Sequence, residues 1–88
     1  MSEPKVVLYA TLWCPYCARA RQLLKNKGID FAEIDVDARP EARTEMAARS
    51  GRSTVPQIFI GATHVGGCDD LHALEASDRL DALLQTGV

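Results

Sequence analysis

The chain has 88 residues, 47% of them hydrophobic and 25% charged, which suits one globular domain spanning residues 1–88 around one modest core. Its formal net charge is -2 and its Lys and Arg residues form no long basic run, so no nucleic-acid surface is expected and any cationic site must be local, sized for a small anion. No apolar segment approaches the length of a membrane span.

Lys5 to Ala10 is almost continuously apolar and β-branched at Val6 and Val7, as befits a strand buried on both faces. From Pro15 to Lys27 the period changes to that of a helix. Cys17, Ala20, Leu23 and Leu24 share one face, Pro15 sits in the first turn and Gly28 stops the helix. Ile29 to Val36 sets Phe31, Ile34 and Val36 against Asp30, Glu33 and Asp35, the alternation of a second strand. Strand, helix and strand within about thirty residues form a βαβ unit with parallel strands.

A second helix is expected to begin near Pro40, with Ala42, Met46 and Ala47 on its apolar face and Ser50-Gly51 at its end. Met46 reads as a core filler. Gln57 to Ile60 and Thr63 to Val65 flank a Gly61-Ala62 turn, the pattern of an antiparallel hairpin. After Gly66-Gly67, Asp69 or Asp70 is expected to cap a helix using Leu71 and Leu74. Ser77 is expected to cap a last short helix bearing Leu80, Leu83 and Leu84. The fold class is α/β, a mixed four-stranded sheet with helices on both faces.

Chemistry concentrates at Cys14-Pro15-Tyr16-Cys17. Two cysteines in a helix's first turn place both sulfurs on one side. The first meets unpaired N–H groups and the positive end of the helix dipole, which favour a thiolate. The thiolate is the nucleophile of disulfide exchange. The alternative, half of a zinc site, lacks a second half: Cys68, His64 and His72 are scattered singly and match no common zinc spacing, so no metal is expected. Three cysteines cannot all pair within one chain, which suits a reducing compartment in which cysteines do chemistry; the plain expectation is a cytoplasmic monomer. The stretch from Met1 to Lys5 carries an acid and a proline ahead of the apolar run, which continues into Trp13-Cys14 with no small-residue cleavage pattern, so that run is expected to be a first strand and not a signal peptide.

Together, Cys14-Pro15-Tyr16-Cys17, Thr54-Val55-Pro56 and Gly66-Gly67-Cys68-Asp69-Asp70 resemble the glutaredoxin family, in its dithiol class and small bacterial type, over Lys5 to Leu84. The resemblance implies a thioredoxin fold and an enzyme with no bound cofactor that uses glutathione as cosubstrate. It further implies substrates that are glutathionylated proteins or disulfides, with Cys14 attacking and Cys17 resolving. Trp13 is similar to thioredoxins, but Pro-Tyr between the cysteines resembles glutaredoxins where thioredoxins carry Gly-Pro. A module holding an iron–sulfur cluster is the other rival, and Pro15 after the first cysteine resembles the members that usually do not hold one.

Glutathione carries an ammonium, two carboxylates and a peptide backbone, so its seat needs an acid, cations or helix N–H groups, and a strand edge. Pro56 holds Val55 extended, so that Val55 can pair with the ligand as an added strand would; the family pattern makes the Val55–Pro56 bond cis. Gly67 and Cys68 open a helix whose N–H groups favour a carboxylate, and Asp69 or Asp70 meets the ammonium, with simple capping as the plainer role. Thr54 precedes the strand edge, and Tyr16 flanks the Cys14 sulfur. Relatives often carry lysine three residues before the first motif cysteine, where this chain has Thr11. Arg43, at a Gln/Arg site of relatives, is then the candidate for the glycine carboxylate, against the plain role of a solvated helix arginine. Cys68 is expected to serve through its backbone, a secondary redox role being the alternative.

Overall fold

The computed structural model describes residues 5–86. Along them run β1 (Val6–Ala10), α1 (Pro15–Asn26), β2 (Phe31–Asp35), α2 (Pro40–Ser50), β3 (Gln57–Ile60), β4 (Thr63–Gly66), α3 (Cys68–Ala76) and α4 (Arg79–Thr86). The sheet order is β2-β1-β3-β4. β1 runs parallel to β2 and antiparallel to β3, and β4 returns antiparallel to β3. β1 is therefore a central strand, and helices on both faces of the sheet explain its unbroken apolar run.

Alternate β1 residues serve two cores. Val6, Leu8 and Ala10, with Ile58 and Ile60 of β3, pack against Cys17, Ala20 and Leu24 of α1, Cys68 and Leu71 of α3 and Leu80 of α4. On the other face Tyr9 and Phe59 join Val36 and Ala42 and Met46 of α2. Three helices thus cover one face and one covers the other. Each fully buried Leu, Ile or Met contributes roughly 1.5–3 kcal/mol of transfer free energy, and Leu8, Leu24, Met46, Ile58, Ile60 and Leu71 are all sealed from solvent. On the α2 side, Tyr9 and Phe59 meet edge to face at 5.8 Å, and Arg49 from the last turn of α2 lies over the Phe59 ring at 4.1 Å.

The element ends refine the expectations. β2 is shorter than Ile29 to Val36: the Ile29 N–H turns back to the Leu24 carbonyl, while Val36 leaves the strand ladder yet still bonds the Ala10 carbonyl, each at 3.0 Å. α2 starts with Pro40 in its first turn, as expected, and Gly51 closes it in the left-handed region at φ 72°. β4 extends through Gly66, past a register irregularity opposite Ile58 and Phe59. Two caps differ. Gly67 holds the N-cap position of α3, and Asp70, three residues on, accepts the Gly67 N–H at 3.0 Å; the acid closes the turn from inside the helix. Ser77 ends α3 where it was expected to open α4. Its hydroxyl bonds the Ala73 and Leu74 carbonyls at 3.0 and 3.2 Å, and Asp78 then takes the left-handed conformation at φ 59°. A serine hydroxyl serves either helix end, so the residue type alone does not separate the two uses.

Candidate active site

Cys14 is the N-cap of α1, extended at φ -86° and ψ 119°, and its carbonyl accepts the Ala18 N–H at 3.0 Å. Pro15, next in the chain, has no N–H to leave unpaired. Burial by itself pushes the Cys14 thiol up. Hydrogen bonds from the Cys17 N–H and thiol and the Tyr16 N–H, together with the Arg21 guanidinium, outweigh it and leave the thiol below its ordinary value. Arg21 is fixed for this by Glu33 of β2, through paired bonds of 2.8 and 2.5 Å.

Cys17, one turn on, faces inward and is fully buried. Burial raises its thiol to about 11, with the Cys14 sulfur adding to the rise and hydrogen bonding from Thr11 only partly offsetting it. Thr11 therefore bears on the second thiol. Environment alone has given two identical side chains opposite tendencies. Cys14, Cys17 and Cys68 are all free thiols.

Beside Cys14 lies a groove of about 230 Å³ lined by Tyr16, Arg52, Thr54, Val55, Pro56, Gln57, Gly67, Cys68, Asp69 and Asp70. Cys14 Sγ stands 4.0 Å from the Val55 carbonyl oxygen at its edge. The Val55–Pro56 bond is cis, as the resemblance implied. One wall is the start of α3, with Gly67, Cys68, Asp69 and Asp70. The other is the segment entering β3. Tyr16 stays 55% exposed at the mouth.

Of the residues expected from sequence to bind glutathione, Arg43 alone does not line this groove. Its guanidinium donates to the Ser53 carbonyl at 3.0 Å and pairs with Asp37 at 3.3 Å, bracing the loop behind the groove. Arg52 stands in the lining, 3.5 Å from Asp70. Arg52 and Gln57 are the two lining residues that sequence reasoning passed over. Gln57 had a usable signal, a polar side chain opening the apolar run Ile58-Phe59-Ile60. Arg52 had little beyond lying past the Gly51 helix stop. Cys68 contributes to the lining while its thiol is buried and raised by that burial. Among the described residues, no group of three or more His, Cys, Asp or Glu is placed to hold a metal ion. No described helix is long and apolar enough to cross a membrane.

Comparison with known proteins agrees with this geometry. The glutaredoxin family model matches residues 6–65. The chain is similar to a glutaredoxin of Pseudomonas aeruginosa, 65% identical over 81 residues that cover 92% of this chain and 96% of the relative. It is likewise similar to glutaredoxin 3 of Escherichia coli, 55% identical over 80 residues, or 91% and 96% of the two chains. Among solved structures, a buckwheat glutaredoxin–glutathione complex superposes with a TM-score of 0.86 at 27% identity, covering 94% of this chain and 78% of that one. With its mixed four-stranded sheet, flanking helices and thiol pair at the start of α1, the chain has the thioredoxin fold and belongs to the glutaredoxin family of glutathione-dependent thiol–disulfide oxidoreductases.

Proposed function

We propose that Cys14 is the attacking thiolate, that Cys17 is the resolving thiol, and that the groove between α3 and the Thr54-Val55-Pro56 segment seats glutathione. The observation that carries this is the opposed shift of the two sulfurs, Cys14 lowered and Cys17 raised to about 11, with the lowered one at the edge of the groove. The buckwheat complex, whose partner is glutathione, supports the choice of ligand.

In the groove the Val55 backbone pairs with the cysteine residue of glutathione in the manner of an added strand. The free N–H groups at the start of α3 take the γ-glutamyl carboxylate, Asp69 meets the ammonium, and Arg52 supplies the cation for the glycine carboxylate. Thr54 and Pro56 shape the strand edge, Tyr16 covers the sulfur, and Cys68 serves through its backbone. Arg43 acts one step back, through the Ser53 carbonyl it holds.

With a glutathionylated protein, the Cys14 thiolate attacks the glutathione sulfur. The mixed disulfide breaks, the protein leaves as a thiolate that takes a proton, and Cys14 carries the glutathione. A second glutathione thiolate then attacks the sulfur of that bound glutathione, releasing oxidised glutathione and restoring the Cys14 thiolate. The disulfide has passed from the protein–glutathione pair to oxidised glutathione at the expense of one glutathione thiol, whose proton balances the one taken up by the departing protein thiolate. The stabilised thiolate is also the better leaving group in this second step. With a protein disulfide, Cys14 forms a mixed disulfide and loses its charge, so the charge that helped to raise Cys17 is gone. Cys17 then attacks the Cys14 sulfur, expels the protein thiol and closes an intramolecular disulfide that two glutathiones reduce. One chain carries the thiol pair and the groove, which supports action as a monomer. Three free thiols support a reducing, cytoplasmic setting.

The test compares glutathione-dependent reduction of a small mixed disulfide with reduction of a protein disulfide. Cys14→Ser abolishes both. Cys17→Ser spares the first and removes the second; equal loss in both assays overturns the roles assigned.

A further inference from the structure

Gln57 is 1% exposed and one of two buried polar residues among those described, the other being Thr11. A buried amide must place two donors and an acceptor. Its Nε2 donates to the Thr54 carbonyl at 3.1 Å and to Thr54 Oγ1 at 3.3 Å. Its Oε1 lies 2.6 Å from His64 Nε2 on the neighbouring strand β4. The carbonyl of Thr54 only accepts, so it fixes which end of the amide faces it. The oxygen must then face His64, and His64 must carry its proton on Nε2. The chain of assignments has one consistent solution and runs from β4 through β3 to the residue preceding Val55.

The imidazole is itself held. It stacks on Phe59 at 4.9 Å and 32°, and Arg49 of α2 lies over the same ring. The charges that bear on it are Arg52 from the loop before β3 and Asp70 from α3. Burial first, and then Arg52, keep the ring below its ordinary value and so neutral near pH 7. Protonation would leave the Nε2–H in place, so the bond to Gln57 survives in either charge state.

We propose that His64 is a positioning residue for glutathione, acting through Gln57 to fix Thr54 and with it the Val55 edge on which the ligand pairs. The inference rests on the groove being the glutathione seat. His64 lines no part of that groove, so its effect reaches the ligand only through the amide. Loss of the imidazole N–H frees a buried acceptor and lets Gln57 and Thr54 rotate. Glutathione then has to order the edge as it binds.

Steady-state kinetics on the intact protein test this with His64→Phe, Gln57→Leu, the double variant, and Arg52→Ala as a control for the groove. His64→Phe keeps a ring against Phe59; His64→Leu makes the same deletion in a smaller side chain should the larger ring unfold the protein. The expected result is a glutathione KM raised about fivefold by the His64 variant with kcat within about twofold of wild type. The double variant is no worse than Gln57→Leu alone, the signature of two residues acting in series. An unchanged KM in the His64 variant while Arg52→Ala raises it overturns the relay and leaves the groove assignment intact, as do effects of His64 and Gln57 that multiply. An unchanged KM in every variant overturns the groove assignment and the relay together.

Discussion

Arg21 and Glu33 face each other across the α1–β2 boundary in a two-bond ion pair, at 2.8 and 2.5 Å, and the guanidinium held by this pair adds to the lowering of Cys14 after the hydrogen bonds from Cys17 and Tyr16. The pair is partly exposed, with side chains 20% and 27% accessible, and pairs of that kind add little to stability. Its importance here is electrostatic. Arg21 is the cation named among the groups that lower Cys14.

Removing that cation should therefore show in the pH profile more than in the melting temperature. With Arg21→Ala the Cys14 thiol rises toward its ordinary value, so the thiolate fraction at neutral pH falls and the rise of exchange rate with pH moves to higher pH. The measurement is second-order rate against pH with a small disulfide. Glu33→Gln, which keeps Arg21 but releases it, should give a smaller shift in the same direction. Superimposable profiles for Arg21→Ala and wild type would remove Arg21 from the account.

The two arginines near the groove should separate by kinetics. Arg52 stands in the lining and Arg43 behind it. Arg52→Ala should raise the glutathione KM severalfold, about the effect of one charge-assisted hydrogen bond of 1.5–3 kcal/mol discounted for exposure, with kcat little changed. Arg43→Ala should have a smaller effect. The reverse order would return the carboxylate contact to Arg43.

Gly66 tests how α3 is set against β4. Its φ of 119° is rarely adopted by residues with a side chain, and a Cβ there would run into the Asp70 carboxylate. Gly66→Ala should destabilise the protein by about 1–3 kcal/mol, read as a lower midpoint in urea. It should also raise the glutathione KM, because displacing Asp70 breaks its bond to Gly67 and its pairing with Arg52. A variant with wild-type stability would mean that Asp70 moves aside without cost.

Much of the fold was legible because few residues carry conflicting signals. The run Val6 to Ala10 is apolar throughout since helices cover both faces of the sheet there, and Pro15 and Gly28 bracket a helix whose inward face is Cys17, Ala20 and Leu24. The two faces of the sheet follow from alternation in β1 and from the apolar positions of α2. Ser77 was misread because the same hydroxyl bonds suit either end of a helix. The site divided in the same way. The Cys14–Cys17 pair and the Asp70 turn are local in sequence, so their spacing was informative. Arg52 reaches Asp70, and Gln57 reaches His64, only once β3, β4 and α3 have packed. Long-range pairings of that kind leave no periodic trace, and at Gln57 the only trace was a polar residue where an apolar one was due.

The central claim is that Cys14 ionises more readily than a free thiol while its neighbour does not. Alkylation of the reduced protein across a pH series, followed at each cysteine by peptide mass, measures this directly. The predicted result is half-maximal reactivity of Cys14 below the ordinary thiol range, with Cys17 unreactive until strongly alkaline pH. Cys14 titrating at or above the ordinary thiol range, or the two cysteines reacting alike, would contradict it.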